Sequence, residues 1–303
     1  MSSVLSKVPI GGIFESEPVL KSVTGSNTIG EAFKVIANNN VYAVPVLEGG
    51  KCIGLIDYND ILGKLVSLIG EVNQNNIDSK KAAIKHVAKH FLDTNCKEFI
   101  NYSNKNPLVT ISTETSLSSV ISEFTKNKES PKRIAIADGD NIVCVISPSA
   151  IVQAVTHYLD EAEVFNLLHN RTVKEVATLS VTSVNEDTTV YESLVTMLNN
   201  GKTSAAITSN GKFFSVVSIK DYKSFADVEN YEELFQPVSL FVTNIRKNTP
   251  KAIYPVISTA MNSTLERVLL RFAATRIHRM FVLDDHQRVI GVISLRDILK
   301  IFA

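Results

Sequence analysis

The stretch that decides the fold lies near the end of the chain and reads "RIHRMFVLDDHQRVIGVISLRDILKIF", from Arg276 to Phe302. It contains two short apolar runs rich in Val, Ile and Leu, which predict two strands joined by a polar turn. A basic pair, His278 and Arg279, begins the first run, and two polar residues, Ser294 and Asp297, follow the second. Polar groups are therefore placed at the edges of both predicted strands.

The same pattern recurs three more times along the chain. The copies read "NVYAVPVLEGGKCIGLIDYNDILGKL", "PKRIAIADGDNIVCVISPSAIVQAV" and "KTSAAITSNGKFFSVVSIKDYKSF", and they begin at Asn40, Pro131 and Lys202. The copy that begins at Pro131 is the weakest of the four. We therefore predict four tandem structural units.

An aspartate follows the second apolar run in three of the four copies. Asp60 and Asp221 align with Asp297, whereas Ala150 takes this position in the second copy. An acidic residue in the first turn of a helix stabilises the helix dipole, so helix capping alone is one explanation. The shared register, in which Ser or Asp follows the strand and the aspartate comes three residues later, favours a second, functional explanation.

An amphipathic helix is predicted before each copy, because apolar residues recur there at intervals of three and four. Three of these helices begin with the Ser/Thr-x-x-Glu spacing of a capping box. The apolar faces contain Ile29, Phe33 and Ile36; Leu117, Val120, Ile121 and Phe124; Val190, Leu194 and Met197; and Leu265, Val268, Leu269 and Phe272. The capping pairs are Thr28 with Glu31, Thr189 with Glu192, and Ser263 with Glu266.

The sequence thus predicts the order strand, helix, strand, tight turn, strand, helix for each unit. The whole chain is predicted to be an α+β fold of four tandem β-α-β-β-α units. Residues typical of hairpin turns join the two long strands of each unit. These turns are Glu48–Gly50, Asp138–Asp140, Asn210–Gly211 and Asp284–Asp285. The predicted boundaries are 10–69 for repeat 1, 70–106 for a helical linker, 107–165 for repeat 2, 166–235 for repeat 3 and 236–303 for repeat 4.

The composition of the 303 residues excludes several classes of function. Lys plus Arg equals Asp plus Glu at 31 each, so no net charge attracts nucleic acid or an anionic membrane. No apolar run approaches the roughly 20 residues that a membrane helix needs. The three cysteines lie far apart, at Cys52, Cys96 and Cys144, and suit reduced thiols better than disulfides. We therefore expect a cytoplasmic or nuclear protein.

The motifs "IHRMFVLDD", "GVISLRDIL", "VPVLEGGKCIGLIDYNDIL" and "SVVSIKDY" resemble those of CBS domains. With four repeats over nearly its whole length, the chain is similar to the gamma regulatory subunit of AMP-activated protein kinase, the Snf4 type included. The resemblance implies that the repeats pair into two Bateman modules that form a flat pseudo-symmetric disc. It also implies an energy-sensing regulatory subunit that binds AMP, ADP or ATP and controls a kinase through its alpha and beta subunits.

The resemblance also implies a role for each conserved type of polar residue. In the family, the aspartate that opens the last helix of a repeat holds the ribose diol, nearby hydroxyls lie beside the nucleotide, and basic pairs reach the phosphates. Carried over to this sequence, the ribose clamps are Asp60, Asp221 and Asp297. The hydroxyls are Ser204, Ser218 and Ser294, and the phosphate-facing residues are His278, Arg279, Lys132 and Arg133.

Three departures from the family pattern leave an alternative open. Tyr42 stands where the family has an Arg, and Asp57 stands where it has a Thr. "SPSA", residues 147–150, replaces a stretch that carries basic residues in the family. These changes favour a scaffold whose nucleotide sites have partly decayed and which regulates a different partner. The aspartates that are kept favour a nucleotide sensor.

Catalysis is not expected, because four repeats and a linker account for the whole chain. The sequence has no G-x-x-x-x-G-K-[ST] loop and no G-x-S-x-G motif. His86 and His90 could share a helix face as a metal pair, but no third ligand is near them. A solvated helix face is therefore the prediction for this pair, and we expect a non-catalytic protein without a metal.

Overall fold

A computed structural model describes residues 4–14, 19–72, 76–139, 141–247 and 257–303. In each repeat, two long antiparallel strands form a hairpin, and a short strand pairs in parallel with the first of them. The strands are β1 Val23–Thr24, β2 Ala43–Glu48 and β3 Lys51–Asp57; β4 Thr110–Ser112, β5 Ile134–Asp138 and β6 Asn141–Ile146; β7 Ser183–Asn185, β8 Ser204–Ser209 and β9 Lys212–Ser218; and β10 Ser258–Thr259, β11 Arg279–Leu283 and β12 Val289–Ser294.

Helices follow the first and third strands of the repeats. They are α1 Ile29–Asn38, α2 Tyr58–Glu71, α3 Ile77–Leu92, α4 Leu117–Thr125, α5 Pro148–Thr156, α6 Ala162–His169, α7 Val190–Asn199, α8 Val238–Lys247, α9 Leu265–Thr275 and α10 Leu295–Leu299. In repeat 3 the helix after the hairpin is a 3₁₀ helix, Ile219–Ala226. The predicted α+β architecture of four repeats is confirmed. None of the helices in the described ranges is long and apolar enough to cross a membrane.

The helix starts follow the predicted capping pairs in two cases and differ in a third. Thr28 with Glu31 and Thr189 with Glu192 form capping boxes, as predicted. The prediction of Ser263 with Glu266 is wrong, because Thr264 caps α9 by accepting from the N–H of Arg267.

The two residues of the failed pair contact other groups. The Ser263 hydroxyl accepts from the N–H of Ala260, and Glu266 lies 3.0 Å from Nδ1 of His169. Adjacent hydroxyls such as Ser263 and Thr264 compete for the same cap, so spacing alone does not choose between them.

Two of the four hairpin turns have the backbone that their glycines predict. Gly49 and Gly50 both have positive φ, as do Asn210 and Gly211, which is the conformation of a two-residue type I′ turn. The turn in repeat 4 is longer than predicted, because the N–H of Asp284 donates to the carbonyl of Arg288, four residues on. In repeat 2, Asp140 lies outside the described residues.

The four repeats share two hydrophobic cores. The described residues of Lys21–Pro107 and Thr182–Val256, which include repeats 1 and 3, form one compact unit; those of Met1–Leu20, Leu108–Val181 and Ile257–Ala303, which include repeats 2 and 4, form the other. We call these the 1/3 unit and the 2/4 unit. Each repeat therefore packs with the repeat two places along the chain.

The predicted apolar helix faces build both cores. Ile29, Phe33 and Ile36 of α1 and Met197 of α7 are fully buried in the 1/3 unit, and Leu194 is 2% exposed. In the 2/4 unit the corresponding faces of α4 and α9 are buried to the same extent. α1 packs on the 3₁₀ helix Ile219–Ala226, and α5 packs on α9. Because these helices hold the repeats together, the strand ends that carry the polar residues have fixed positions.

Candidate functional site

The same geometry places polar residues at the end of each hairpin. In repeat 4 the first residue of β11, Arg279, pairs with the last residue of β12, Ser294. The N–H of Leu295 then donates to the carbonyl of His278 at 3.2 Å, which closes the hairpin end. His278, Arg279, Ser294 and the first turn of α10 are thus brought together, as the sequence predicts for one site.

Asp297 contacts this hairpin end through one carboxylate oxygen. Its Oδ2 accepts from the N–H of Ser294 at 2.9 Å and from the hydroxyl of Ser294 at 2.7 Å. Within the described ranges, both hydrogen bonds that the side chain accepts go to Oδ2, and none goes to Oδ1. Both residues are half-buried. The aspartate therefore caps the helix and still keeps one oxygen available to accept further hydrogen bonds.

Repeat 3 has the same arrangement. Oδ2 of Asp221 accepts from the N–H of Ser218 at 2.6 Å and from its hydroxyl at 3.0 Å. Ser204 pairs with Ser218 across the hairpin and is 5% exposed. Its hydroxyl is a buried donor that has no partner within the described residues. Burial raises the pKa of Asp221, and the cap bonds from Ser218 and the charges of Arg246 and Lys223 oppose this effect.

Asp60 in repeat 1 occupies the same register but has both oxygens bonded to backbone. Oδ2 accepts from the N–H of Asp57 at 2.8 Å, and Oδ1 accepts from the N–H of Ser103 at 2.8 Å. The side chain is fully buried. A ribose diol could therefore reach Asp60 only if the segment around Ser103 moved away.

That segment, 100–106, is bonded to β3 at its start and is closed by a hydrogen bond between two of its own residues. The N–H of Asn101 donates to the carbonyl of Leu55 at 3.0 Å, and the N–H of Asn106 donates to Oδ1 of Asn101 at 2.9 Å. Gly54 of β3 leaves the space in which Ile100 packs, since a Cβ at Gly54 would lie 2.1 Å from Cγ2 of Ile100. The segment thus closes over the carboxylate of repeat 1.

The environment of Asp60 changes its acidity. Burial raises the pKa of Asp60 to about 7, and the nearby charge of Asp57 adds to this effect. The bonds from Ser103 and Asp57 act in the opposite direction. Asp57 itself caps α2, where its carboxylate accepts from the N–H of Asn59 at 2.7 Å and from the side-chain amide of Asn59 at 2.9 Å.

Repeat 2 has no carboxylate at the corresponding position. The N–H of Ala150 donates to the carbonyl of Ser147, and the Ser147 hydroxyl lies 2.8 Å from that of Ser149. The basic pair Lys132 and Arg133 precedes β5 and is half-buried. Repeat 2 therefore offers basic residues to the 2/4 unit but no ribose clamp of its own.

No group of three or more His, Cys, Asp or Glu side chains that could hold a metal occurs in the described part of the chain. His86 and His90 are both exposed on α3, as expected for a solvated helix face.

Comparison with protein families identifies the repeat. A model of the CBS domain matches residues 10–67, 173–226 and 251–303, which together are more than half of the chain. The chain belongs to the CBS-domain family. The matched ranges lie within repeats 1, 3 and 4. Repeat 2, which has the weakest sequence motif, lies outside them.

Two relatives that match over most of this chain show how similar the sequences are. The CBS protein is 21% identical to protein SDS23 of Scheffersomyces stipitis over 314 residues, covering 93% of this chain and 58% of that relative. It is also 21% identical to protein MJ1225 of Methanocaldococcus jannaschii, covering 93% of this chain and 95% of that protein. The chain thus spans little more than half the length of the yeast relative.

Solved structures show the same fold. The crystal structure of MJ1225, described as a candidate archaeal homologue of gamma-AMPK, matches 98% of the CBS protein and 100% of that chain with a TM-score of 0.73 and 18% identity. A conserved protein from Pyrococcus horikoshii matches 98% of this chain and 100% of that chain with a TM-score of 0.56 and 16% identity. At these identities the likeness establishes the fold alone.

Two further residues of the CBS repeats lie beside the predicted site residues. The sequence motifs did not predict a role for them. They are Lys220 and Arg296, which directly precede Asp221 and Asp297. Lys220 Nζ lies 3.0 Å from the carbonyl oxygen of Asn40, and Arg296 Nη2 lies 2.5 Å from the carbonyl oxygen of Pro131. A basic residue before the aspartate in both repeats was the available signal.

Proposed function

We propose that this CBS protein is a non-catalytic regulatory protein that binds an adenine nucleotide, AMP, ADP or ATP. We propose that the bound nucleotide controls the activity of a protein kinase. The observation that carries the proposal is the availability of Oδ1 of Asp297 while Oδ2 caps the helix through Ser294. A carboxylate that only caps a helix needs one oxygen to accept the cap hydrogen bonds. A carboxylate that also binds a ligand needs its second oxygen for the ligand.

Asp297 is suited to a ribose. An ionised carboxylate has about four lone-pair positions, and Ser294 uses two of them at Oδ2. The two hydroxyls of a cis-diol can therefore donate to the remaining positions on Oδ1. Hydrogen bonds to an ionised acceptor are the stronger kind, so two of them give a sugar both affinity and orientation.

The phosphates would contact the basic residues of the 2/4 unit. His278 and Arg279 lie next to Ser294 because of the strand register between β11 and β12. Lys132 and Arg133 of repeat 2 belong to the same unit and immediately precede β5. An arginine guanidinium matches a phosphate with two parallel hydrogen bonds, and a lysine adds a point charge.

The three predicted sites are expected to differ. Asp297 has an available oxygen and a half-buried setting, so repeat 4 is the strongest candidate. Asp221 has the same cap, but burial raises its pKa and so disfavours the charged form that would accept from a ribose. Asp60 is enclosed by Ser103, so repeat 1 binds a nucleotide only after segment 100–106 opens.

Regulation of a kinase through alpha and beta subunits rests on the resemblance to the gamma subunit and on the fold shared with MJ1225. A ligand regulates a partner when it binds one conformational state more tightly than another. We expect such a protein in the cytoplasm or the nucleus. The alternative is a CBS scaffold for another partner, and the closed carboxylate of Asp60 favours it.

Calorimetric titration of the purified chain with AMP, ATP and adenosine tests the proposal. We expect AMP or ATP to bind, and Asp297→Ala to weaken binding by about 1.5–3 kcal/mol because a charged acceptor of two hydrogen bonds is lost. Absence of binding by the wild-type chain would reject the nucleotide sensor and leave the scaffold.

A further inference from the structure

Lys220 and Arg296 make equivalent contacts in the two units although their side chains differ. Each directly precedes the aspartate of its repeat, and each reaches backbone carbonyls of the paired repeat. The acceptors lie in the turn that leads into the first long strand of that repeat, before β2 in one unit and before β5 in the other. Repeat 3 is thus tied to repeat 1, and repeat 4 to repeat 2, at the same point.

Arg296 makes the tighter of the two contacts. Its Nη2 lies 2.5 Å from the carbonyl oxygen of Ser130 and 2.5 Å from that of Pro131. Ser130 and Pro131 are both buried, and Arg296 is half-buried. Two carbonyls that accept from one guanidinium lose a shared donor if the side chain is removed, and buried acceptors without a donor are costly.

The segment that Arg296 holds has little freedom of its own. Asn127 and Ser130 bond to each other: the Asn127 N–H donates to the Ser130 hydroxyl at 3.0 Å. Lys132 follows Pro131 directly, and β5 begins at Ile134. Lys132 and Arg133 therefore lie between two fixed points, the contact with Arg296 and the first strand residue.

Lys220 shows the same construction in the 1/3 unit. Its Nζ lies 3.0 Å from the carbonyl oxygen and 3.1 Å from the side-chain oxygen of Asn40. The ammonium also lies 4.3 Å from the ring centroid of Tyr42, a cation–π contact. Tyr42 aligns with Lys132 and His278, just before the first long strand of each repeat. A basic residue before the aspartate therefore contacts the turn before the first long strand of the paired repeat in both units.

We propose that Arg296 is a positioning residue that fixes Lys132 and Arg133 relative to Asp297, so that the affinity for the phosphate of a nucleotide depends on Arg296. This inference rests on the proposed function. The guanidinium does not itself need to touch the ligand, because its Nη2 donates to the carbonyls of Ser130 and Pro131. A change at Arg296 should therefore affect AMP, which has a phosphate, much more than adenosine, which has none.

The experiment compares AMP and adenosine binding by calorimetry in chains that carry Asp221→Ala, so that repeat 4 supplies the accessible ribose clamp. The variants are Arg296→Met, Arg296→Lys and the control Arg271→Met. Arg271 is a half-buried arginine of the same unit that donates to the carbonyl of Ser258 at 3.0 Å, away from the basic pair. Its loss tests the general effect of removing such an arginine.

We expect Arg296→Met to weaken AMP binding about tenfold, within the range typical of coupled sites, and adenosine binding by less than about twofold. Arg296→Lys should recover most of the AMP affinity, because an ammonium can still donate to the two carbonyls. Arg271→Met should change neither affinity. In a chain that also carries Lys132→Met and Arg133→Met, Arg296→Met should have little further effect, as expected for residues that act together.

Equal losses for AMP and adenosine would overturn the inference, because the phosphate would not be singled out, but the proposed nucleotide binding would stand. An undiminished effect of Arg296→Met in the Lys132→Met, Arg133→Met background would also overturn it. Failure of the wild-type chain to bind either ligand would instead reject the proposed function, and the inference with it; binding by the wild type but not by the Asp221→Ala chain would overturn the inference alone.

Discussion

The backbone N–H of Ser103 lies 2.8 Å from Oδ1 of Asp60, and this contact separates repeat 1 from repeats 3 and 4. All three repeats have an aspartate at the same position of the first helical turn, and all three use Oδ2 for the cap. In repeat 1 the second oxygen also bonds to backbone. The same local motif therefore serves a closed structural role in one repeat and leaves an accepting oxygen in the others.

Asp60 should make the stability of the chain depend on pH. An aspartate in an unfolded chain has a pKa near 3.9, whereas burial raises the pKa of Asp60 in the folded chain to about 7. Between these values the folded state binds more protons than the unfolded state, so the free energy of unfolding falls as pH rises. The contribution is fully present below about pH 4 and is lost as pH rises through about 7; a rise of about three pKa units corresponds to about 4 kcal/mol.

Urea unfolding of the wild type and of Asp60→Asn at pH 5 and pH 8 measures this dependence. The asparagine does not ionise in this range, so the difference in unfolding free energy between the two pH values should be smaller in the variant. Carboxylates that do not interact with Asp60 titrate equally in both chains and cancel. An identical pH dependence would show that Asp60 is ionised throughout.

Ser103→Pro should destabilise the chain by removing a backbone donor. Proline has no N–H, so Oδ1 of Asp60 would lose its bond and stay buried. We expect a loss of about 1–3 kcal/mol in the free energy of unfolding. Ser103→Ala keeps the N–H and removes only the hydroxyl, which also interacts with Asp60, so it should lose less stability than Ser103→Pro. Two variants of equal stability would mean that the contact contributes nothing.

Gly54→Ala should also destabilise segment 100–106, because the added Cβ would lie 2.1 Å from Cγ2 of Ile100. Overpacking of this kind typically costs about 1–3 kcal/mol. Ile100→Ala removes Cγ2, so the double variant should lose less stability than the sum of the two single changes. Gly63→Ala in α2 is the control, since a Cβ there meets no atom within 4 Å. Strictly additive losses would contradict the predicted clash.

The sequence was sufficient for features that depend on neighbouring residues. The apolar periodicity of α1 and α9 predicts their buried faces, and Gly49 with Gly50 predicts a tight hairpin turn. The spacing of Thr28 and Glu31 predicts their capping box. In each case the interacting groups are a few residues apart, so local chemistry fixes the geometry.

Features that join distant residues could not be predicted in this way. Ser103 is 43 residues from Asp60, and Arg296 is 166 residues from Ser130. The sequence predicts ribose clamps in repeats 1, 3 and 4, with repeat 4 the strongest, but it does not show that tertiary packing encloses Asp60. The pairing of repeat 1 with repeat 3 is a tertiary property of the same kind.

Asp297→Asn should separate the capping role of Asp297 from its proposed ligand role. Asparagine keeps a side-chain oxygen that can accept from the N–H of Ser294, so the thermal stability should change little. The negative charge is lost, and adenosine and AMP binding should both weaken by about 1.5–3 kcal/mol. Asp285→Asn, an exposed aspartate of the same hairpin, should leave binding unchanged. Full binding by Asp297→Asn would limit Asp297 to a helix cap.

His278→Ala tests whether the start of β11 contacts the phosphate. The carbonyl of His278 accepts from the N–H of Leu295, and an alanine keeps this backbone bond, so the hairpin end and Asp297 should keep their positions. The imidazole would be lost, and a phosphate needs such donors more than a ribose does. We expect AMP affinity to fall about fivefold to tenfold, the equivalent of one hydrogen bond to a charged group, while adenosine affinity stays nearly constant.

The matched control for that substitution is His286→Ala, because His286 is an exposed histidine in the turn of the same hairpin. It removes the same side chain without approaching Ser294, so calorimetry should give wild-type affinities for both ligands. If His278→Ala weakened AMP and adenosine binding equally, the histidine would support the structure of the ribose site and would not contact the phosphate. A selective loss of AMP, combined with the loss of both ligands in Asp297→Asn, would place the sugar on α10 and the phosphate on the start of β11.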